Sequence, residues 1–284
     1  MRMFCKGITP WYNTSIQYQR TYTNSYDGGS IMILYFSGTG NSLAVAKQLA
    51  EETGDTAVHI ADITDHCLRI QDKVIGFVFP VYFGELPEPV RIFVEYVQFN
   101  PSAYFYGIAT CGSSAGRALY SLKQILSCKD CTLAYGRKIA MVANSTPATR
   151  RHIRYPMEKL ITAAETVKEI GNDIRARKKD TSQVTKHWYH TLFRLGPLQR
   201  LGEKWFTVRC DTTLCIHCGI CENVCPSHNI HIDESGLTIG KQCSYCLACA
   251  HWCPQQAITI RNRHILLEDQ YHHPNVTLKD MIRR

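Results

Sequence analysis

The chain has 284 residues, of which 45% are hydrophobic and 20% are charged, a composition typical of a globular protein with room for two domains. Its longest apolar run, Val74 to Phe83, is far shorter than the ~20 residues that cross a membrane. Its N-terminus has no apolar secretion signal, so we expect a cytoplasmic protein without membrane insertion. The net charge of +8 is spread along the chain rather than clustered, so we expect no nucleic-acid partner.

Residues 1–30 are polar and aromatic, and they show neither helical nor strand periodicity. We interpret them as a disordered leader that the fold does not need. Met32 lies at the start of the first predicted strand, so the natural chain could begin there and the leader could be non-native.

Five apolar runs predict buried strands, and helical patterns between them predict an α/β fold with a doubly wound parallel sheet over residues 31–179. The strands are Ile31–Phe36, Ala57–Ile60, Val74–Phe79, Tyr106–Thr110 and Ile139–Ala143. The helices are one from Asn41 that ends near Gly54, two near residues 87–98 and 116–127, and a long amphipathic one whose apolar stripe is Met157, Leu160, Ile161, Ala164, Val167 and Ile174. Residues 180–207 form a basic connector, in which Val184, Trp188, Leu192 and Leu195 could share a helical face. That face would pack on a neighbouring domain or bind a partner.

The loop SGTGNS, Ser37–Ser42, follows the first strand and precedes a helix. Its glycines permit a sharp turn, and its hydroxyls and the helix N-terminus favour an anion. Because the loop matches neither the triphosphate-binding nor the dinucleotide-binding fingerprint, a terminal monophosphate fits it best. In a sheet of order 2-1-3-4-5 the loops after strands 3 and 4 lie beside it. They are Pro80–Pro87, with flat rings and a flexible glycine, and Cys111–Gly116, with small residues.

Together the three loops suit flavin mononucleotide (FMN), and the first loop resembles the phosphate loop of the flavodoxin family. The predicted FMN-binding residues are Ser37, Thr39, Gly40, Asn41, Ser42, Pro80, Tyr82, Phe83, Gly84, Cys111, Gly112 and Ser113. Tyr82 and Phe83 could instead be core residues, and Cys111 a small buried residue rather than a nucleophile. Glu85 beside this site would disfavour a fully reduced anionic flavin, unless it is a solvated carboxylate.

Eight of the 14 cysteines fall into two copies of the spacing C-x2-C-x2-C-x3-C-P, offset by 28 residues. Three close cysteines can hold three corners of a [4Fe–4S] cube, and the fourth ligates the other cluster because the proline turns the chain away. One cluster is then held by Cys215, Cys218, Cys221 and Cys253, and the other by Cys243, Cys246, Cys249 and Cys225. Zinc is the alternative for paired C-x2-C units, but the third cysteine and the C-P ending argue against it. Cys210 is interpreted as a structural thiol.

The two motifs resemble those of bacterial two-cluster ferredoxins. With the segments YFSGTGNS, PVYFGELP and YHHPNVTLKDMI, residues 31–284 resemble the fused flavodoxin–ferredoxin (EFR-type ferredoxin) family. The resemblance implies a flavodoxin-like sheet, a small α+β ferredoxin domain at residues 208–262, and a tail at residues 263–284.

The resemblance also implies an electron carrier of anaerobic metabolism, with FMN and two [4Fe–4S] clusters as cofactors and redox proteins as partners. No catalytic constellation is evident, so whether the chain is an enzyme stays open. Two alternatives are a flavin-dependent reductase of a small substrate, fed by the clusters, and a redox sensor that binds a regulator.

Overall fold

The computed structural model describes residues 31–63, 69–150, 152–186, 206–234 and 236–282. The predicted leader and most of the predicted connector, including Trp188, Leu192 and Leu195, lie outside the described residues. We divide the rest into the sheet region (31–186), the cysteine-rich region (206–264) and the C-terminal segment (265–282). Among the described residues, no helix has both the length and the apolar character needed to cross a membrane.

Five strands of the sheet region form one parallel sheet in the order β2-β1-β4-β6-β7, and β3 pairs separately with β5. The strands are β1 (Ile31–Tyr35), β2 (Thr56–His59), β3 (Arg69–Ile70), β4 (Val74–Pro80), β5 (Gln98–Phe99), β6 (Tyr104–Cys111) and β7 (Leu133–Ala140). Counted over the five main strands this is order 2-1-3-4-5, so the predicted doubly wound α/β fold is confirmed. The carboxyl ends of β1, β4 and β6 therefore lie side by side.

Four helices cover both faces of the sheet, which is why β6 is buried along its whole length and β4 up to its last residue. They are α1 (Asn41–Thr53), α2 (Glu88–Tyr96), α3 (Ala118–Ser127) and α4 (Glu158–Arg175). Helices α2 and α3 supply the core on one face, and α1 and α4 supply it on the other. As predicted, α1 ends at Gly54, which has a left-handed φ of 76°.

Two sequence predictions are corrected in this region. The fifth strand is Leu133–Ala140 rather than Ile139–Ala143, because an edge strand alternates buried and exposed residues and so shows no continuous apolar run. The buried face of α4 comprises Ala163, Val167, Ile170, Gly171 and Ile174. Met157 precedes the helix and Ile161 is 68% exposed, since the face that packs on α1 is rotated from the predicted stripe.

The cysteine-rich region consists of short elements around the two cysteine motifs. They are β8 (Val208–Cys210), α5 (Ile220–Asn223), β9 (Ile230–Asp233), β10 (Gly236–Ile239), α6 (Ala248–His251), β11 (Ile258–Ile260) and β12 (Arg263–His264), and α7 (Leu278–Met281) lies in the C-terminal segment. Strands β9 and β10 form an antiparallel hairpin, and β11 pairs antiparallel with both β8 and β12. The prediction of a small ferredoxin-like α+β unit is confirmed.

Two buried tyrosines of the sheet give a test of this core. The hydroxyl of Tyr106 has no hydrogen-bond partner among the described residues, whereas that of Tyr135 donates to Asp173 at 2.9 Å. A buried, unpaired hydroxyl costs about 1–3 kcal/mol. We therefore expect Tyr106→Phe to raise the free energy of unfolding and Tyr135→Phe to lower it by about 1–2 kcal/mol. Urea denaturation measures both, and equal destabilisation by the two variants would contradict the assignment.

Candidate functional site

A cavity lies at the carboxyl ends of the central strands, which is where open α/β sheets bind their ligands. Its lining is formed by Ser37, Gly38, Thr39, Asn41, Ser42, Pro80, Val81, Tyr82, Thr110, Cys111, Gly112 and Met141–Ser145. The structure thus brings together eight of the twelve residues predicted to bind FMN. Four others do not line the cavity: Gly40, Phe83, Gly84 and Ser113.

The loop Ser37–Ser42 contains a buried hydroxyl that lines the cavity and has no hydrogen-bond partner among the described residues. This is the Oγ of Ser37, a residue that is 1% exposed. Gly40 has a φ of 97°, which turns the chain into the N-terminus of α1. A phosphate accepts hydrogen bonds and is stabilised at a helix N-terminus, so this loop fits the terminal phosphate of FMN.

The side chains of Ser42 and Asn41 form hydrogen bonds with other parts of the protein. The Ser42 hydroxyl is paired with that of Thr110 at 2.8 Å. The Asn41 side chain donates to the carbonyl of Val142 at 2.9 Å and accepts from the Tyr271 hydroxyl at 2.6 Å. Asn41 therefore links the phosphate loop to the loop after β7 and to the C-terminal segment.

In the loop after β4, the predicted FMN-binding residues Tyr82 and Phe83 lie in different places. Tyr82 lines the cavity, whereas the Phe83 ring lies 5.2 Å from Phe206 and 5.7 Å from Tyr245, measured between centroids. Glu85 lies 3.6 Å from Arg117 and accepts a hydrogen bond from Ser121. Phe83 thus contacts the cysteine-rich region, and the charge of Glu85 is balanced by a buried guanidinium.

Sequence reasoning missed the loop after β7, Met141–Ser145, which forms one wall of the cavity. Asn144 donates through Nδ2 to Thr39 Oγ1 at 3.2 Å and to the carbonyl of Cys246 at 3.1 Å. Gly112 leaves room for this loop, since a Cβ there would lie 3.0 Å from that of Ala143. The loop was not predicted because the fifth strand was placed at Ile139–Ala143, which overlaps it. The sequence signal for the loop is a turn-forming run, Asn144 to Pro147.

The eight motif cysteines fall into two groups. Burial, followed by the nearby charge of Cys253, raises the pKa of the Cys221 thiol to about 12, with Cys218 and Cys215 also contributing. Burial, followed by the charge of Cys225, raises the pKa of Cys246 to about 12, with Cys243 also contributing. Each fourth cysteine thus lies with the three thiols of the other motif. Such crowded thiolates are stable only beside a cation, as in an iron–sulfur cluster.

The two motifs repeat each other in backbone geometry. Left-handed residues occur in pairs with the 28-residue offset: His217 and Tyr245, Gly219 and Leu247, His228 and Gln256. Equivalent amides donate to sulfur, from Asn229 to Cys225 and from Ala257 to Cys253, both at 3.3 Å. Hydrogen bonds of this kind tune the reduction potential of a cluster.

The two groups differ in their surroundings. The outer group (Cys215, Cys218, Cys221 and Cys253) includes an exposed thiol, that of Cys218. The inner group (Cys243, Cys246, Cys249 and Cys225) faces the sheet region. There a Cβ on Gly38 would lie 2.7 Å from the Cys246 carbonyl oxygen. A predicted ligand residue of the inner group therefore touches the cavity lining.

A family model for a 4Fe-4S binding domain matches residues 211–231, which contain the first motif. The chain thus combines a sheet of flavodoxin-like strand order with a region that in part matches a 4Fe-4S binding model. The match favours iron–sulfur over zinc, and the phosphate loop and cavity described above fit FMN. A search of curated proteins finds no match.

Several solved structures resemble about half of this chain. A proposed flavoprotein from Bacteroides uniformis ATCC 8492 is 21% identical, with 51% of this chain and 98% of that chain covered and a TM-score of 0.36. The Streptococcus TIGR4 flavodoxin is 12% identical over 53% and 99%, with a TM-score of 0.36. Megasphaera elsdenii flavodoxin is 15% identical over 50% and 97%, with a TM-score of 0.33. The strand order above, and not these likenesses, establishes the fold.

The grouping of the thiols predicts which variant damages which cluster. We expect Cys253→Ser to impair the cluster of Cys215, Cys218 and Cys221, and Cys225→Ser to impair the other. Electron paramagnetic resonance of the reduced protein distinguishes them. Cys210→Ser is the matched control, because this thiol is close to Cys215 yet outside both groups. If Cys253→Ser perturbed only the inner group, the assignment would be wrong.

Proposed function

We propose that the protein relays electrons between FMN, bound in the cavity of the sheet region, and two [4Fe–4S] clusters of the cysteine-rich region. The contact of the Cys246 carbonyl with Gly38 carries this proposal, since it joins a cluster-ligand residue to the phosphate loop. When bound, FMN exchanges one or two electrons and each cluster exchanges one.

Two clusters, rather than one, are supported by the two complete groups of four thiols. Each group has three cysteines from one motif and the fourth from the other. The protein's own contribution is burial and amide hydrogen bonds to sulfur, both of which tune potentials.

The exposure of the outer group supports the proposal that the partners are redox proteins. Cys218 is exposed, and Leu214 and Ile216 beside it are 42% and 61% exposed. An electron-transfer protein that docks there would approach a ligand sulfur directly. We infer that redox proteins exchange electrons with the outer cluster, and that the inner cluster connects it to the flavin.

The composition of the cavity favours a carrier over a reductase. Among the described residues, its lining contains no Asp, Glu, Lys, Arg or His, and Tyr82 and Cys111 are the side chains there of a type that can transfer protons. Burial raises the pKa of the Cys111 thiol, which suits a structural residue better than a nucleophile.

The phosphate loop gives the first test. We expect Ser37→Ala to weaken FMN binding about tenfold, because a hydrogen bond to a charged group is worth about 1.5–3 kcal/mol and neighbouring donors replace part of it. Fluorescence titration of the FMN-free protein measures the affinity. Ser127→Ala, on the exposed end of α3, is the control. Unchanged affinity in Ser37→Ala would exclude this hydroxyl as a phosphate donor.

The contact between the regions gives the second test. After photoreduction of the clusters, we expect flavin reduction at a rate independent of protein concentration, as for carriers on one chain. Gly38→Ala should slow this step, because its Cβ would lie 2.7 Å from the Cys246 carbonyl oxygen and push the regions apart. Ser127→Ala, on the exposed end of α3 and far along the chain from both loops, is the control. Only second-order exchange in the unmodified protein would refute the relay.

A further inference from the structure

The side-chain amide of Asn144 is shared between the two regions. Its Nδ2 donates to Thr39 Oγ1 of the phosphate loop and to the carbonyl of Cys246 in the inner group, at 3.2 and 3.1 Å. An amide nitrogen has two hydrogens, so one side chain can satisfy both acceptors. Thr39 is 3% exposed and Cys246 is 7% exposed, which leaves water little access to replace the amide.

The backbone of Asn144 is held from the other side. Its carbonyl accepts from His251 Nε2 at 2.7 Å, and His251 Nδ1 accepts from the Tyr271 amide at 3.0 Å. Because Nδ1 accepts this bond, the ring hydrogen lies on Nε2, which donates it to the Asn144 carbonyl. The side-chain hydroxyl of Tyr271 donates to Asn41 Oδ1. Asn41 Nδ2 donates to the carbonyl of Val142, two residues before Asn144. Together with the backbone from Val142 to Asn144, these hydrogen bonds form a closed circuit.

We infer that Asn144 is the positioning residue that fixes the inner group against the phosphate loop. The inference rests on the proposed relay, for which the separation of flavin and inner cluster must be short and constant. A side-chain donor is needed at this position, since ionised aspartate has no hydrogen to donate and alanine has no polar group. In either variant the Cys246 carbonyl loses its partner and the loop of the inner group is held less firmly.

The experiment compares Asn144→Asp and Asn144→Ala in the full-length protein with its cofactors, under anaerobic conditions. In both we expect the amides of residues 246–252 to exchange hydrogen about tenfold faster, because opening of this segment costs less without the bond. We expect first-order flavin–cluster transfer to slow by about tenfold when variants and unmodified protein are compared at equal, measured iron and FMN occupancy. Asn172→Asp, on the exposed side of α4, is the control and should change neither rate.

The outcomes separate the inference from the relay itself. Unchanged exchange and transfer in both variants would overturn the role of Asn144. An effect in Asn144→Asp alone would also overturn it, since it would come from the added charge rather than the lost donor. If Asn144→Asp does not fold, Asn144→Ala decides. If the unmodified protein shows no first-order transfer, the relay fails, yet faster exchange in the variants would still establish Asn144 as the residue that joins the regions.

Discussion

The close packing of the Cys246 carbonyl on Gly38 is the constraint on which the arrangement of the two regions depends. A glycine is needed because a Cβ would also lie 2.9 Å from that of Cys246, nearer than side-chain atoms approach each other. The phosphate loop is therefore shared: its Ser37 hydroxyl serves the cavity, and its Gly38 serves the inner cysteine group. The Trp252 indole, which donates to the Gly38 carbonyl at 3.4 Å, extends the same contact.

Polar groups orient this contact and apolar groups stabilise it. Leu43, Val224, Cys246, Ala248, Val276 and Met281 form one buried cluster that takes residues from all three parts of the chain. Apolar packing alone would tolerate small slides, whereas a fully paired buried network admits one arrangement. The fully buried His251 shows the consequence, since it must stay neutral and paired on both ring nitrogens.

Features that depend on a local residue pattern could be predicted from the sequence. Sheet order followed from strand–helix alternation, and the grouping of Cys253 and Cys225 followed from the motif spacing. Prediction failed where pairing across the fold decides the structure. Strand β7 is a strand because Tyr135 and its neighbours pair with β6, although Arg137 and Lys138 make it look like a loop. The roles of Asn144 and Phe83 depend on contacts more than 100 residues away in the chain, which no local pattern contains.

The repeated motifs show how one loop geometry is adapted to two environments. Gly219 and Leu247 occupy equivalent left-handed positions, where a leucine costs about 1–2 kcal/mol more than a glycine. Leu247 is 3% exposed, and burying a leucine side chain contributes about 1.5–3 kcal/mol, so the interior offsets the strain. At the outer copy, which faces solvent, a side chain would gain no such burial, so glycine, which adopts this φ without strain, is favoured. The duplication has thus become asymmetric, with one copy built for contact with the sheet region and the other left open to the surroundings.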